Sequence, residues 1–365
     1  MVHIVIGTRA QFLKMAPVMR ELDARGLAWR WIYTAQHKDT MTQLIADFSV
    51  KHPDYVVFDW ETEAKTMKKM MIWLIKIMFS LLKEKTTILD GFTGPTHIVL
   101  THGDTITAWW GALLGKLSGC QVMHVESGLR SFKLFDPFPE ELNRLITFWL
   151  SDIYACPGEW AVGNLKRFNG EKINTIHNTQ IETLNYGLAH SADREMDFSG
   201  GTYSVVSIHR YENIFDKKQL KTILSLIERI AENIHVIFVL HPATEKRLEA
   251  LNYAGRTADN PNITFVKRLS HLSFISLIKR AEFVVTDGGG NQEELFHMGK
   301  PCLIFRSCSE RQEGIGHNAV LSRFDQRIID KFVSTYETYN KERVHIKERP
   351  SAIVVDYLLE KGFTS

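Results

Sequence analysis

Phe283-Val284-Val285-Thr286-Asp287-Gly288-Gly289-Gly290-Asn291-Gln292-Glu293-Glu294 is the run on which the fold turns. A short apolar, β-branched stretch breaks into three glycines and reopens as a helix start. That junction is the mark of a parallel strand followed by its crossover helix. Three glycines let backbone N–H groups approach an anion closely, and the dipole of the helix that follows favours negative charge at the same place. The glycines are not spaced as in a dinucleotide fingerprint, and no lysine follows as in a P-loop. Glu294, about one turn into the helix, is placed to accept hydrogen bonds from ribose hydroxyls.

Similar runs recur on both sides of this one. The clearest are Val2 to Ile6, Trp29 to Thr34, His97 to Leu100, Gln121 to Val125, Ile153 to Ala155, Tyr203 to Ile208, His235 to Leu240, Phe283 to Thr286 and Cys302 to Phe305. Each leads into a turn and then a helix-period segment. So many strands exceed one doubly wound sheet, so the expected fold is α/β with two Rossmann-like domains. The alternation weakens between Asn169 and Gly201, which places the crossing early in that stretch and predicts domains at 1–170 and 171–349. Ile353 to Lys361 is apolar-periodic and predicts a C-terminal helix, about 350–365, for which packing back on the first domain is one of two possibilities.

The 365 residues, 44% of them hydrophobic, suffice for two cores. Lysine and arginine number 44 against 42 acids, so no single-sign field exists to attract nucleic acid, and any phosphate recognition must be local. The four cysteines, Cys120, Cys156, Cys302 and Cys308, show neither a metal-ligand spacing nor a disulfide-scaffold density. No His-x-x-x-His or Cys-x-x-Cys pair occurs, so no metal is expected. The opening His3-Ile4-Val5-Ile6 is a core strand and not an export signal, which predicts a cytoplasmic protein. The apolar stretch Met70 to Leu82 is too short to span a bilayer and is interrupted by Lys76. It is expected to be a buried or dimer-interface helix, the alternative being an amphipathic helix on a membrane surface.

Polar residues fall where an open α/β sheet binds ligands, at the carboxyl ends of the predicted strands. Gly7-Thr8-Arg9 follows the first, and Arg9 can fork onto a phosphate. Thr101-His102-Gly103-Asp104-Thr105 and His124-Val125-Glu126-Ser127-Gly128-Leu129-Arg130 follow two more, delivering two carboxylates to one sheet edge. Pro137-Phe138-Pro139-Glu140-Glu141 then precedes Asn143 and Arg144, a stiffened loop that adds a third acid and a cation at a helix start. One acid at such a position is ordinarily a solvated cap. Three converging on one face suit acid–base work, because like charges in a cleft raise each other's pKa. In the second half, Ser207-Ile208-His209-Arg210-Tyr211-Glu212-Asn213 and Leu240-His241-Pro242 follow successive strands. His209 with Arg210 could bind a diphosphate or shuttle a proton, and both histidines are expected to face the first domain across a crevice.

Taken in order, Gly7-Thr8-Arg9 with Gln11 to Pro17, His102 to Thr105, His124 to Arg130, Pro137 to Arg144, His209-Arg210 with Glu212-Asn213, and Asp287 to Glu294 resemble the bacterial non-hydrolysing UDP-N-acetylglucosamine 2-epimerases. The resemblance runs to about Gly314. It implies a glycosyltransferase-B-like pair of domains facing a cleft, a homodimer, a UDP-amino-sugar substrate and no cofactor. By motif, Asp104, Glu126, Glu140 and His209 correspond to the catalytic group. Arg9, Arg144, His241, Gly289, Gly290 and Glu294 correspond to the nucleotide and diphosphate contacts, joined in the substrate-binding set by Lys14, His102, Arg130, Asn143, Arg210, Gly288 and Arg311. The chain departs from the family pattern at several points. Arg9-Ala10-Gln11 stands for Arg-Pro-Glu or Arg-Pro-Gln, Tyr211 for a second arginine, Gly288 for a frequent serine, and Glu310-Arg311-Gln312-Glu313-Gly314 for Glu-Arg-Pro-Glu-Gly. Three other activities share much of this pattern. They are a hydrolysing epimerase that would release free UDP, a glycosyltransferase that would demand an acceptor, and a silent nucleotide-sugar binder.

Overall fold

In the computed structural model, residues 1–35, 41–58, 67–134, 139–190, 201–253, 260–309 and 311–363 are described. They form two units, Met1–Thr183 with Lys347–Ser365, and Leu184–Ile346. Pro137, Phe138 and Glu310, which belong to the motifs above, lie outside the described residues.

The first unit holds β1 (Val2–Ile6), β2 (Trp29–Tyr33), β3 (Tyr55–Val56), β4 (Ile98–His102), β5 (Gln121–Val125), β6 (Ile153–Cys156) and β7 (Glu171–Asn174), in the order β3-β2-β1-β4-β5-β6-β7. The second holds β8 (Tyr203–Ser207), β9 (His235–Leu240), β10 (Ile263–Lys267), β11 (Val284–Thr286), β12 (Cys302–Ile304) and β13 (Ala319–Leu321), in the order β10-β9-β8-β11-β12-β13. Every pairing in both sheets is parallel. Each sheet therefore reverses its order beside its first strand, between β1 and β4 and between β8 and β11. Those are the switch points where the carboxyl ends splay apart and leave a crevice.

Burial explains which strands the sequence announces. β1 and β4 are buried along their whole length, so helices cover both faces and the residues are apolar apart from His3, Thr101 and His102. The four strands absent from the sequence-based reading, β3, β7, β10 and β13, are the four sheet edges. β7 is Glu-Lys-Ile-Asn with no buried residue, which carries no apolar run to detect. Because β7 pairs with β6, the first unit reaches beyond the 1–170 span read from the sequence. The chain leaves this unit at Thr183, inside the helix Gln180–Ala189, and returns at Lys347. The last helix, Pro350–Glu360, packs on the helix Arg9–Ala24, and Glu182 accepts from the amide and hydroxyl of Ser351 at 2.7 Å each.

The first core joins Val5, Ile32 and Val99 of the sheet to Trp110 and Leu114 of the helix Ile106–Leu117. Trp73, Ile77 and Leu81 of the helix Met67–Lys83 complete it. The Trp73 indole donates to the Thr34 carbonyl at 2.9 Å and that of Trp110 to the Ile77 carbonyl at 2.7 Å, so both large rings are buried with their polar atoms satisfied. The helix is half-buried: Met71, Ile75 and Phe79, on its other face, are 59%, 58% and 55% exposed. No helix among the described residues is long and apolar enough to cross a membrane. In the second unit, Val206, Phe238, Val285 and Leu303 pack against Ile223 and Ile227 of the helix Lys217–Ala231.

Candidate active site

In the first unit the switch point is bounded by the turns after β1 and β4. Gly7 is required there because a Cβ would sit 2.1 Å from Thr107 Oγ1 and 2.3 Å from Thr34 Oγ1, two buried threonines hydrogen-bonded to each other at 2.9 Å. Thr8 caps the helix Arg9–Ala24 in a capping box with Gln11. The Gln11 amide oxygen accepts from the Gly7 and Thr8 amides at 2.9 and 3.2 Å, while its nitrogen donates to the His102 carbonyl at 2.8 Å. Gln11 therefore ties the end of β1 to the end of β4. This glutamine fixes the turn in which Ala10 stands where the family pattern has proline.

Glu126 follows β5 with φ +61°, a left-handed backbone that a non-glycine residue adopts at a cost of about 1 kcal/mol or more. Its carboxylate receives Lys14 Nζ at 2.6 Å on both oxygens and lies 2.9 Å from His102 Nε2. The Lys14 and Glu126 side chains are only 14% and 6% exposed. His124, on β5 just before this turn, is fully buried. Its Nε2 lies 2.8 Å from the Gly103 carbonyl, which can only accept, so Nε2 carries the hydrogen and Nδ1 accepts from the Ser127 hydroxyl at 2.9 Å. Burial pulls this imidazole down to about 4, so it is a neutral brace between the two acid-bearing turns.

Asp104 pairs with Arg144, and its carbonyl accepts from Asn143 Nδ2 at 2.8 Å. Asn143 and Arg144 stand on the helix Glu140–Leu150, whose first residue is the half-buried Glu140. Next to it, Glu141 is fully buried and is bound by Arg130 and the Ser131 amide, with Arg144 at 3.5 Å. Burial pushes the Glu141 carboxyl up, but the Arg130 hydrogen bond, the amide and the two guanidinium charges outweigh it and hold the group below its ordinary value. Arg130, Glu141, Arg144 and Asp104 thus form one chain of alternating charge. Arg9 opens its helix after β1, half-buried.

In the second unit the organising residue is Asp287, 1% exposed at the end of β11. It accepts from the amides of His209 and Arg210 at 3.0 and 2.9 Å and from Asn213 Nδ2 at 2.9 Å, and lies 3.4 Å from His209 Nδ1. Across the switch point it therefore shapes the turn after β8. The His209 and His241 ring centres lie 5.5 Å apart, and His241 immediately precedes the helix Pro242–Ala250 without a side-chain capping bond to it. A Cβ on Gly288 would stand 2.8 Å from His209 Cε1, so the glycine that replaces the family's serine gives the imidazole its room. Gly289 and Gly290 open the helix Gly289–Met298, on which Glu294 is buried with His271 Nε2 at 3.9 Å. Arg311 is bound to Glu293 at 2.6 Å, and Arg210 lies 3.4 Å from Glu212.

Each unit therefore gathers its own candidate residues at its own switch point, the acids with Lys14 and Arg144 in the first and the histidines with the glycine turn in the second. The reading from sequence did not single out Gln11, His124, Glu141, Asn213 or Asp287 as positioning residues. All five lie inside the motifs read from the sequence, and their signal was closeness in the chain to a chosen residue. Among the described residues, no group of three or more His, Cys, Asp or Glu is disposed to hold a metal ion.

Two parallel-sheet α/β units, each with its candidate residues at its switch point, place the chain in the glycosyltransferase-B-like fold class. The family model described as UDP-N-acetylglucosamine 2-epimerase matches residues 20–351. The UDP-N-acetylglucosamine 2-epimerase of Methanocaldococcus jannaschii is 32% identical over 342 residues, 89% of each chain. The solved structure of UDP-GlcNAc 2-epimerase from Neisseria meningitidis bound to UDP-GlcNAc superposes with a TM-score of 0.83 at 27% identity, over 98% of this chain and 99% of that one. The Methanocaldococcus jannaschii enzyme in complex with UDP-GlcNAc and UDP gives 0.79 at 27% identity, over the same shares of the two chains. This chain belongs to the UDP-N-acetylglucosamine 2-epimerase family.

Proposed function

We propose that the protein interconverts UDP-N-acetylglucosamine, or a close UDP-2-acetamido sugar, with its manno epimer without net hydrolysis. The observation that carries the reading is the set of acids at the first switch point: Glu126 bound by Lys14, and Asp104 bound by Arg144. A glycosyltransferase has little use for so many carboxylates at a strand-end crevice. The proton on the acetamido-bearing carbon is poorly acidic, so loss of UDP leads. Arg210, His209, His241 and the amides at Gly289 and Gly290 stabilise charge developing on the diphosphate, at a turn that Gly288 keeps open. Glu294 takes the ribose hydroxyls, and Arg9 and Arg311 belong to the same nucleotide-binding set. A carboxylate from Asp104, Glu126 and Glu140 then removes the proton from the cation-like sugar, leaving an unsaturated intermediate. The proton returns to the opposite face and UDP adds back, so atoms balance with no cofactor. Lys14 and His102 hold Glu126 in place, Asn143 fixes the Asp104 backbone, and Arg130 anchors the start of the acid-bearing helix through Glu141. The binding of UDP-GlcNAc or UDP by relatives of known structure supports the same substrate here.

The same reading makes the protein a cytoplasmic homodimer that supplies surface-polysaccharide precursors, with the first unit carrying the acids and the second, Leu184–Ile346, the nucleotide. The test is proton and phosphorus NMR of the purified protein with UDP-N-acetylglucosamine. Accumulation of a manno-configured nucleotide sugar with its diphosphate intact is expected, and free UDP in amounts equal to the sugar consumed would select hydrolysis instead.

A further inference from the structure

The second unit contains a cavity of about 500 Å³ at the opposite end of the helix Gly289–Met298 from the glycine turn. Lys279, Lys300 and Arg343 line it, together with Asn185, Leu188 and Met298, and none of its lining residues is acidic. Three helices end at its wall: Gln180–Ala189, His271–Arg280 and Gly289–Met298. Cations commonly sit at helix carboxyl ends merely to offset the dipole, so magnitudes must decide. Three helix ends carry about half a negative charge each, against three full positive charges, leaving a surplus of roughly one and a half. Part of that surplus is held where water is scarce. Burial pulls the Lys300 ammonium below its ordinary value, opposed only by the charge of Glu282, and its Nζ donates to the Ala281 carbonyl at 2.7 Å. Arg343 is fixed as well. It donates to Asn185 Oδ1, and its segment is pinned by Lys341 and Val344 amides on the Gly299 and His297 carbonyls at 2.8 and 2.9 Å.

We propose that this cavity is a second ligand site, remote from the strand-end site, that takes an organic phosphate monoester. The dianion meets Lys279, Lys300 and Arg343, and the apolar body lies on Leu188 and Met298. The volume falls in the range of small-molecule sites, and lysine and arginine with an amide at hand are the usual phosphate partners. The lining residues also lie on the two passages of the chain between units: Asn185 and Leu188 are on the helix in which the chain enters the second unit, and Arg343 precedes its departure at Ile346. Occupancy therefore slows hydrogen exchange along 184–190 and 340–346.

Phenyl phosphate is the probe, phenol its neutral control, and the full chain is used with and without saturating UDP. Expected are saturable binding that UDP does not displace, weakening as salt rises, with exchange protection at both segments. Lys279 and Arg343 are exposed, so Lys279→Gln with Arg343→Gln leaves the fold intact and weakens binding at least tenfold. Lys300→Gln weakens it further. Binding that UDP abolishes, equal binding of phenol, or unchanged affinity in the double variant would each overturn the proposal.

Discussion

Acid should unfold the first unit earlier than its carboxylates alone would dictate, because two histidines are buried neutral. His124 is held at about 4 and His3 likewise at about 4, in both cases chiefly by burial, against an ordinary 6.5. The unfolded chain binds a proton on each as pH falls through 6.5, and the native chain does so only near 4. Stability is therefore fully present above 6.5 and drains between 6.5 and 4. Each group loses about 1.4 kcal/mol per pH unit, or about 3 kcal/mol over the window. Glu141, whose pKa is lowered, adds its loss only below its ordinary 4.5. The perturbation is His124→Gln, which keeps a donor for the Gly103 carbonyl and removes the titration. Its stability at pH 7.5 falls, but from pH 6.5 to 5 it should lose about 2 kcal/mol less than wild type. Urea unfolding at several pH values, followed by a probe in the first unit, measures this. Identical pH slopes for the two proteins, or an NMR titration of His124 near 6.5, would refute the reasoning.

Removing one partner of the buried Lys14–Glu126 pair leaves an uncompensated charge. Lys14→Met and Glu126→Gln should each cost about 3 kcal/mol, while the double variant costs well under their sum in a double-mutant cycle. Asp287→Ala orphans the His209 and Arg210 amides and leaves Asn213 Nδ2 with the Phe305 carbonyl as its remaining acceptor. It should destabilise the second unit by about 2–4 kcal/mol and weaken UDP binding, read by thermal unfolding and calorimetry. Gly128 has φ +86° and a Cβ there would lie 2.2 Å from the Ala161 carbonyl, a backbone group, whereas at Gly7 the φ is ordinary and the Cβ meets only the side chains of Thr107 and Thr34. Gly128→Ala should therefore lower the melting temperature more than Gly7→Ala, and equal losses would contradict the geometry.

The doubly wound architecture was legible because β1, β4, β5, β8, β9, β11 and β12 are buried and mostly apolar, and because turns with Gly, Asp or His follow all of them but β12. β3, β7, β10 and β13 were not, since an edge strand is partly solvated and is recruited by its neighbour's backbone. The strand-end positions of Asp104, Glu126, His209 and Gly288 follow from the same periodicity. What periodicity cannot supply is the direction of adjacent side chains and the partners that come from distant segments. Glu140 and Glu141 are indistinguishable on paper, yet Glu141 is the one sealed between Arg130 and Arg144. Gln11 looked like a weakened motif until the His102 carbonyl, far along the chain, supplied its partner. Asp287 seemed one more polar residue before the glycines, and only the β8–β11 pairing brings the His209 amide to it.

Everything proposed about the chemistry turns on whether the carbon bearing the acetamido group surrenders its hydrogen to the protein. Incubation of the purified chain with UDP-N-acetylglucosamine in deuterium oxide, followed by mass and proton spectra of the nucleotide sugars, measures that directly. One deuterium at that carbon in the manno product is the predicted result, and a manno product carrying its original hydrogen would contradict it.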